Sequence, residues 1–163
     1  VFDLKELLEK NRSLLQSQAN NKNIVISVKA AEEYPVKLHK ASINTVVRNL
    51  VSNAIKFTPE GGKIVLDMQQ RDGQFSISIP DNGVGMSQEV MAKLFRLDSK
   101  HTTAGTANEK GTGLGLILCR EFVEKNGGKI AVQSAEGQGS VFTLTFPVSV
   151  AGRNHSKITA GSF

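Results

Sequence analysis

Tryptophan is absent, tyrosine occurs once at Tyr34, and the chain has a single cysteine, Cys119. One thiol cannot close an internal disulfide, so the fold must stand on its core, and a reducing compartment suits it. The three histidines, His39, His101 and His155, are scattered, which argues against a Cys/His metal site. No apolar run approaches the roughly 18 residues of a membrane span. The longest, near Leu114 to Cys119, is interrupted by Gly115. No signal peptide opens the chain, and a first residue of Val rather than Met leads us to expect a piece of a longer protein. The 20 Lys+Arg against 15 Asp+Glu leave a net charge of +5. These basic residues are spread out, and little aromatic surface is present to stack bases, so nucleic-acid binding is not expected. A mild positive potential serves an anionic small ligand equally well.

What is present suits one soluble domain. Hydrophobic residues make up 39% of the 163, too many for disorder and enough for one core. We expect a domain over residues 1–150 and a polar tail over 151–163. Asp3 and Glu6 have the spacing of a capping box, and Leu4, Leu7, Leu8, Leu14 and Leu15 follow at roughly helical spacing, predicting a helix over Leu4–Ala19. Ile24–Lys29 alternates as a strand, and Val36–Leu38 reads as a short second one. Ala41–Phe57 is the clearest helix, with Ile43, Val46, Val47, Leu50 and Ala54 on one stripe. Lys63–Gln69 and Gln74–Ile79 form a hairpin through Asp72-Gly73. Ser87 caps a short helix to Leu94; a polar loop spans Arg96–Lys110. A helix over Gly113–Lys125 and strands over Lys129–Ser134 and Ser140–Pro147 complete the order. Strands and helices do not alternate one-for-one, which argues against a Rossmann-type parallel sheet. The expected fold is α+β: a two-layer sandwich, a mixed sheet with helices packed on one face.

Three features carry chemistry. Asp81-Asn82-Gly83-Val84-Gly85 follows a strand, and Gly111-Thr112-Gly113-Leu114-Gly115-Leu116 precedes a helix. Alternate glycines before a helix let backbone N–H groups approach an anion. Neither segment is a P-loop, since no Gly-Lys-Ser/Thr follows, and neither has the dinucleotide spacing. Thirdly, Asn49 and Asn53 lie one turn apart on the Ala41–Phe57 helix, followed by Lys56 and Phe57. Carboxamide oxygens suit Mg²⁺, a hard ion whose shell phosphates and water complete.

Taken in order, these segments resemble the four boxes of sensor histidine kinases. Asn49-Leu50-Val51-Ser52-Asn53-Ala54-Ile55-Lys56-Phe57-Thr58-Pro59 is similar to the N box and Asp81–Met86 to the G1 box. Lys93-Leu94-Phe95-Arg96-Leu97 resembles the F box and Gly111–Leu116 the G2 box. The resemblance covers about Phe2 to Pro147. It implies the catalytic and ATP-binding domain of the gyrase/chaperone/histidine-kinase/mismatch-repair superfamily, with its Bergerat-type fold. Lys40 departs from it, where many relatives carry an acidic residue.

By that resemblance Asn53 is the Mg²⁺ ligand, Asn49 supports the phosphate end, Lys56 pairs with phosphate and Phe57 lies against the purine. Asp81 accepts from the adenine amino group, while Gly83 and Gly85 leave room for the base. Arg96–Lys110 becomes a lid over ATP, with Lys100, His101 and Lys110 as candidate phosphate contacts. Gly111, Thr112, Gly113, Leu114 and Gly115 shape its closing end. Hydrolysing relatives place a Glu one turn before the Mg²⁺ asparagine; here that position is Asn49, whose amide cannot act as a general base. The implied activity is therefore transfer of the γ-phosphoryl of Mg·ATP to a histidine. None of His39, His101 and His155 has an acceptor context, so the acceptor is expected on a helical dimerisation domain outside this chain. A response-regulator receiver domain would be the eventual partner. Most relatives are membrane-anchored, which places this segment on the cytoplasmic side without membrane contact of its own. A binding module without catalysis and an ATP-hydrolysing relative are the alternatives.

Overall fold

The computed structural model describes residues 1–30, 32–94 and 115–147. Its elements are β1 (Phe2–Asp3), α1 (Leu4–Asn20), β2 (Val25–Lys29), β3 (Pro35–Val36), α2 (Lys40–Phe57), β4 (Lys63–Arg71), β5 (Gln74–Asp81), α3 (Gln88–Lys93), α4 (Gly115–Lys125), β6 (Lys129–Ser134) and β7 (Ser140–Pro147). The five longer strands form one sheet in the order β2-β4-β5-β7-β6. β2 and β4 run parallel and the other neighbours antiparallel. The fold is the expected mixed-sheet α+β sandwich.

Side-chain chemistry sets the layers. Ile64, Leu66, Phe75, Ile77, Ile79, Phe142, Leu144 and Phe146 alternate along three central strands and are all buried. They meet the stripe Ile43, Val46, Val47, Leu50, Val51, Ala54 and Ile55 of α2. Each such side chain contributes about 1.5–3 kcal/mol by leaving water. Phe75 stacks on Phe146 at 5.4 Å and leans on Tyr34 at 5.1 Å. Burial pushes the Tyr34 phenol up to about 12, and its hydroxyl lies 2.6 Å from Gln70 Oε1. On the opposite face Ser76, Ser78, Thr143 and Thr145 stand side by side in register.

Local sequence explains most boundaries. Asp3 caps α1, its Oδ1 accepting from the backbone N–H of Lys5 at 3.1 Å and of Tyr34 at 2.7 Å. The second bond also fixes a two-residue ladder, β1 with β3, for which the sequence offered only part. The expected short strand lies at Pro35–Val36 rather than Val36–Leu38. Its register follows the pairing Phe2 with Val36 and Asp3 with Pro35. Asp72 and Gly73 both take positive φ, 53° and 75°, the two-residue turn that matches strand twist. The expected loop Arg96–Lys110 and the tail 151–163 lie outside the described residues.

Candidate functional site

The last two turns of α2 carry Asn49, Asn53, Lys56 and Phe57, all half-buried. They flank the apolar stripe of α2, outside its fully buried positions. Lys56 Nζ lies 5.0 Å from the Phe57 ring centroid, which places a cation beside an aromatic face. The Phe57 carbonyl accepts from Val84 N–H at 3.1 Å. The helix end and the glycine loop after β5 are thereby tied together.

Asp81 closes β5 and opens that loop. It pairs across the sheet with Ile64 of β4 and Ser140 of β7. Its Oδ1 accepts from Gly83 N–H at 2.8 Å and from Ser140 N–H at 3.3 Å. Burial raises the carboxyl above its ordinary range, and the two backbone donors oppose that rise. Gly83 is buried against the end of α2, and a Cβ there would stand 2.5 Å from the Phe57 carbonyl oxygen and 2.8 Å from Asp81 Oδ1. Gly85, at φ +72°, packs against the carbonyl of Ala135.

The turn between β6 and β7 supports this loop, a role absent from the sequence expectations. Gly137 N–H donates to the Val84 carbonyl at 2.7 Å. Ser134 Oγ accepts from Met86 N–H at 2.8 Å and donates to the Gly139 carbonyl at 2.9 Å. Gly139 lies directly under the Asp81 backbone. The available signal was a further Gly-x-Gly, followed by serine, Gly137-Gln138-Gly139-Ser140, between two strands.

Gly115 opens α4 beside Asn49, where a Cβ on it would be 3.8 Å from the amide carbon. Asn49 also hydrogen-bonds the Cys119 thiol, whose Sγ is 3.9 Å from the Val46 carbonyl. Burial pushes that thiol up to about 11 in spite of the Asn49 contact, so it is inert at neutral pH. Asn49 therefore joins α2 to α4. His39 is remote from these groups, capping the start of α2. Lys100, His101, Lys110, Gly111, Thr112, Gly113, Leu114 and His155 lie outside the described residues. Among the described residues no group of three or more His, Cys, Asp and Glu could hold a metal ion. Among them, too, no helix is long and apolar enough to cross a membrane.

One end of a mixed sheet thus presents a half-buried carboxylate, a loop with two glycines, an aromatic ring, a cation and two carboxamides. That combination belongs to a class of nucleotide-binding α+β domains. Residues 39–150 match the model for the histidine kinase-, DNA gyrase B- and HSP90-like ATPases, and the chain belongs to that family. It is a histidine-kinase-type ATP-binding catalytic domain. It is 36% identical over 154 residues to histidine protein kinase DivJ of Caulobacter vibrioides, covering 93% of this chain and 25% of DivJ. The chain thus spans about a quarter of that relative. The nucleotide-free catalytic domain of histidine kinase ThkA superposes with a TM-score of 0.76 at 32% identity, covering 90% of this chain and 93% of that one. ThkA in complex with the response regulator protein TrrA aligns with a TM-score of 0.70 at 28% identity, over 90% of this chain and 40% of that one.

Proposed function

We propose that this domain binds Mg·ATP and passes the γ-phosphoryl group to a histidine on a helical dimerisation domain of the same parent protein. An aspartate on a response-regulator receiver domain is the eventual recipient. The observation that carries the reading is the tethering of Asp81. Two backbone donors hold its Oδ1, which leaves Oδ2 to accept from a ligand. The amino group of adenine donates there, whereas guanine turns an oxygen toward the carboxylate. Gly83 leaves the space beside the carboxylate open to a base, Phe57 lies against the purine, and Lys56 pairs with phosphate.

The residues on α2 fit a magnesium ion that arrives with its nucleotide. Asn53 offers one amide oxygen, and Mg²⁺ takes oxygen donors while keeping phosphate and water in its shell. When bound, the ion offsets charge on the transferred group. Lys110 and Gly111 to Gly115 complete the phosphate end in this reading. Asn49 supplies no base for water, which favours transfer over hydrolysis. We place the domain on the cytoplasmic side of a membrane-anchored parent.

Calorimetric titration tests nucleotide choice: Mg·ATP should bind, and GTP should bind more weakly. Equal affinities would remove Asp81 from its role. Incubation with γ-labelled ATP should leave the isolated chain without phosphohistidine. Added dimerisation domain should acquire acid-labile, base-stable label slowly, because untethering lowers the effective concentration.

A further inference from the structure

We propose that Lys22, in the turn between α1 and β2, is a positioning residue for the nucleotide site, an inference that rests on the ATP-binding reading above. A helix leaves its last four carbonyls without intrahelical partners. Many helices meet part of that need with a left-handed glycine. The residue after α2 is instead Thr58, in extended conformation at φ −96° and ψ 128°, so these carbonyls need partners from elsewhere in the chain. Lys22 Nζ supplies two, donating to Ile55 O at 2.9 Å and to Lys56 O at 3.2 Å. The next carbonyl, Phe57 O, accepts from Val84 N–H. One cation and one glycine-loop amide therefore grip the same turn, the turn that bears Lys56 and Phe57.

Lys22 is itself held in place. Its carbonyl accepts from Gly61 N–H at 2.8 Å, and Val25 N–H donates to Gly62 O at 3.2 Å. Asn23 Nδ2 donates to Glu60 Oε1 at 2.9 Å. The turn before β2 and the turn after α2 form one clasp, so the ammonium group is presented from a fixed backbone. Its charge also stands at the negative end of the helix dipole, easing the approach of an anionic ligand. Loss of the ammonium frees two carbonyls, loosens the Phe57–Val84 bond and shifts Gly83, whose N–H orients Asp81.

The test compares Lys22→Met and Lys22→Arg with the exposed control Lys10→Met, all in this 163-residue chain and at a temperature where each is folded. Loss of charge-assisted bonds to two carbonyls should weaken ATP about fivefold or more in Lys22→Met. Lys22→Arg should restore most of that affinity, and Lys10→Met should not change it. In the nucleotide-free protein, the amide resonances of Gly83 and Val84 should move in Lys22→Met alone. Should that variant not fold, Lys22→Gln carries the same expectations. Unchanged ATP affinity and unmoved Gly83 and Val84 resonances, with only a lower Tm, would overturn the proposal. If the wild-type chain fails to bind ATP while those resonances still move, the nucleotide reading falls and the role at the site falls with it, but the clasp stands.

Discussion

The two ends of α2 are held by different means. At its start His39 accepts from Ser42 N–H at 3.3 Å, and Thr45 Oγ1 donates to Ala41 O at 3.0 Å. Those partners lie three and four residues away. One bond distant in sequence, His39 N–H to Asn126 Oδ1 at 2.8 Å, joins the end of α4. At the other end the partners are Lys22 and Val84, separated from α2 by long stretches of chain. The caps of the first turn itself are local. The end that bears the proposed ligand groups is positioned by distant segments, so its geometry depends on the whole fold.

The sharpest break is expected at Asp81→Asn. A charge-assisted hydrogen bond is worth about 1.5–3 kcal/mol, so ATP affinity should fall roughly ten- to two-hundred-fold. The amide oxygen can still accept from Gly83 and Ser140, so Tm at neutral pH should hold or rise. The direction of the shift requires this. Burial raises the folded-state carboxyl above its ordinary 3.8, so the native state keeps this proton to higher pH than the unfolded chain does. The contribution of Asp81 to stability then falls as pH rises through that window. ATP binding should run the other way, fading on acidification at a higher pH than an ordinary carboxylate would give. Calorimetry across pH, beside thermal melts, checks both signs.

Gly83→Ala comes next. A Cβ at 2.5 Å from a backbone carbonyl forces the loop away from α2, at about 1–3 kcal/mol of stability. ATP binding should weaken with it, since the same shift moves the donor to Asp81. Denaturant melts and titration on one preparation would separate the two effects. Asn53→Ala is expected to leave metal-free ATP affinity intact and remove the gain that Mg²⁺ provides. If affinities with and without Mg²⁺ fall in parallel, Asn53 is a packing residue. The smallest effect belongs to the opposite end of the helix. His39→Ala should cost about 1 kcal/mol as a lost cap and leave ATP affinity unchanged. A loss of affinity there would erase the distinction between the two ends.

Much of this was legible because it is local. The stripe Ile43–Ala54 has helical period, Asp72-Gly73 is a hairpin turn by composition, and Asp81 stands out as an acid before two glycines. The β1–β3 ladder was not legible, because two-residue strands carry no period to detect. Lys22 sits among asparagines and reads as turn polarity until α2 is folded beside it. Ser134 and Gly139 act on Asp81 and Met86 only across the sheet. Their roles are properties of register rather than of composition.

The hairpin at Asp72-Gly73 has a practical consequence. β5 runs from Gln74 to Asp81, so Gly73 of the turn lies eight residue steps, at roughly 3.4 Å each, from Asp81. A Cβ added to Gly73 would meet nothing within 4 Å, and the neighbouring Arg71, Asp72 and Gln74 are exposed. This is the place to splice in a reporter. A fluorescent or affinity module inserted between Asp72 and Gly73 would sit at the opposite end of β5 from Asp81, clear of the proposed nucleotide site.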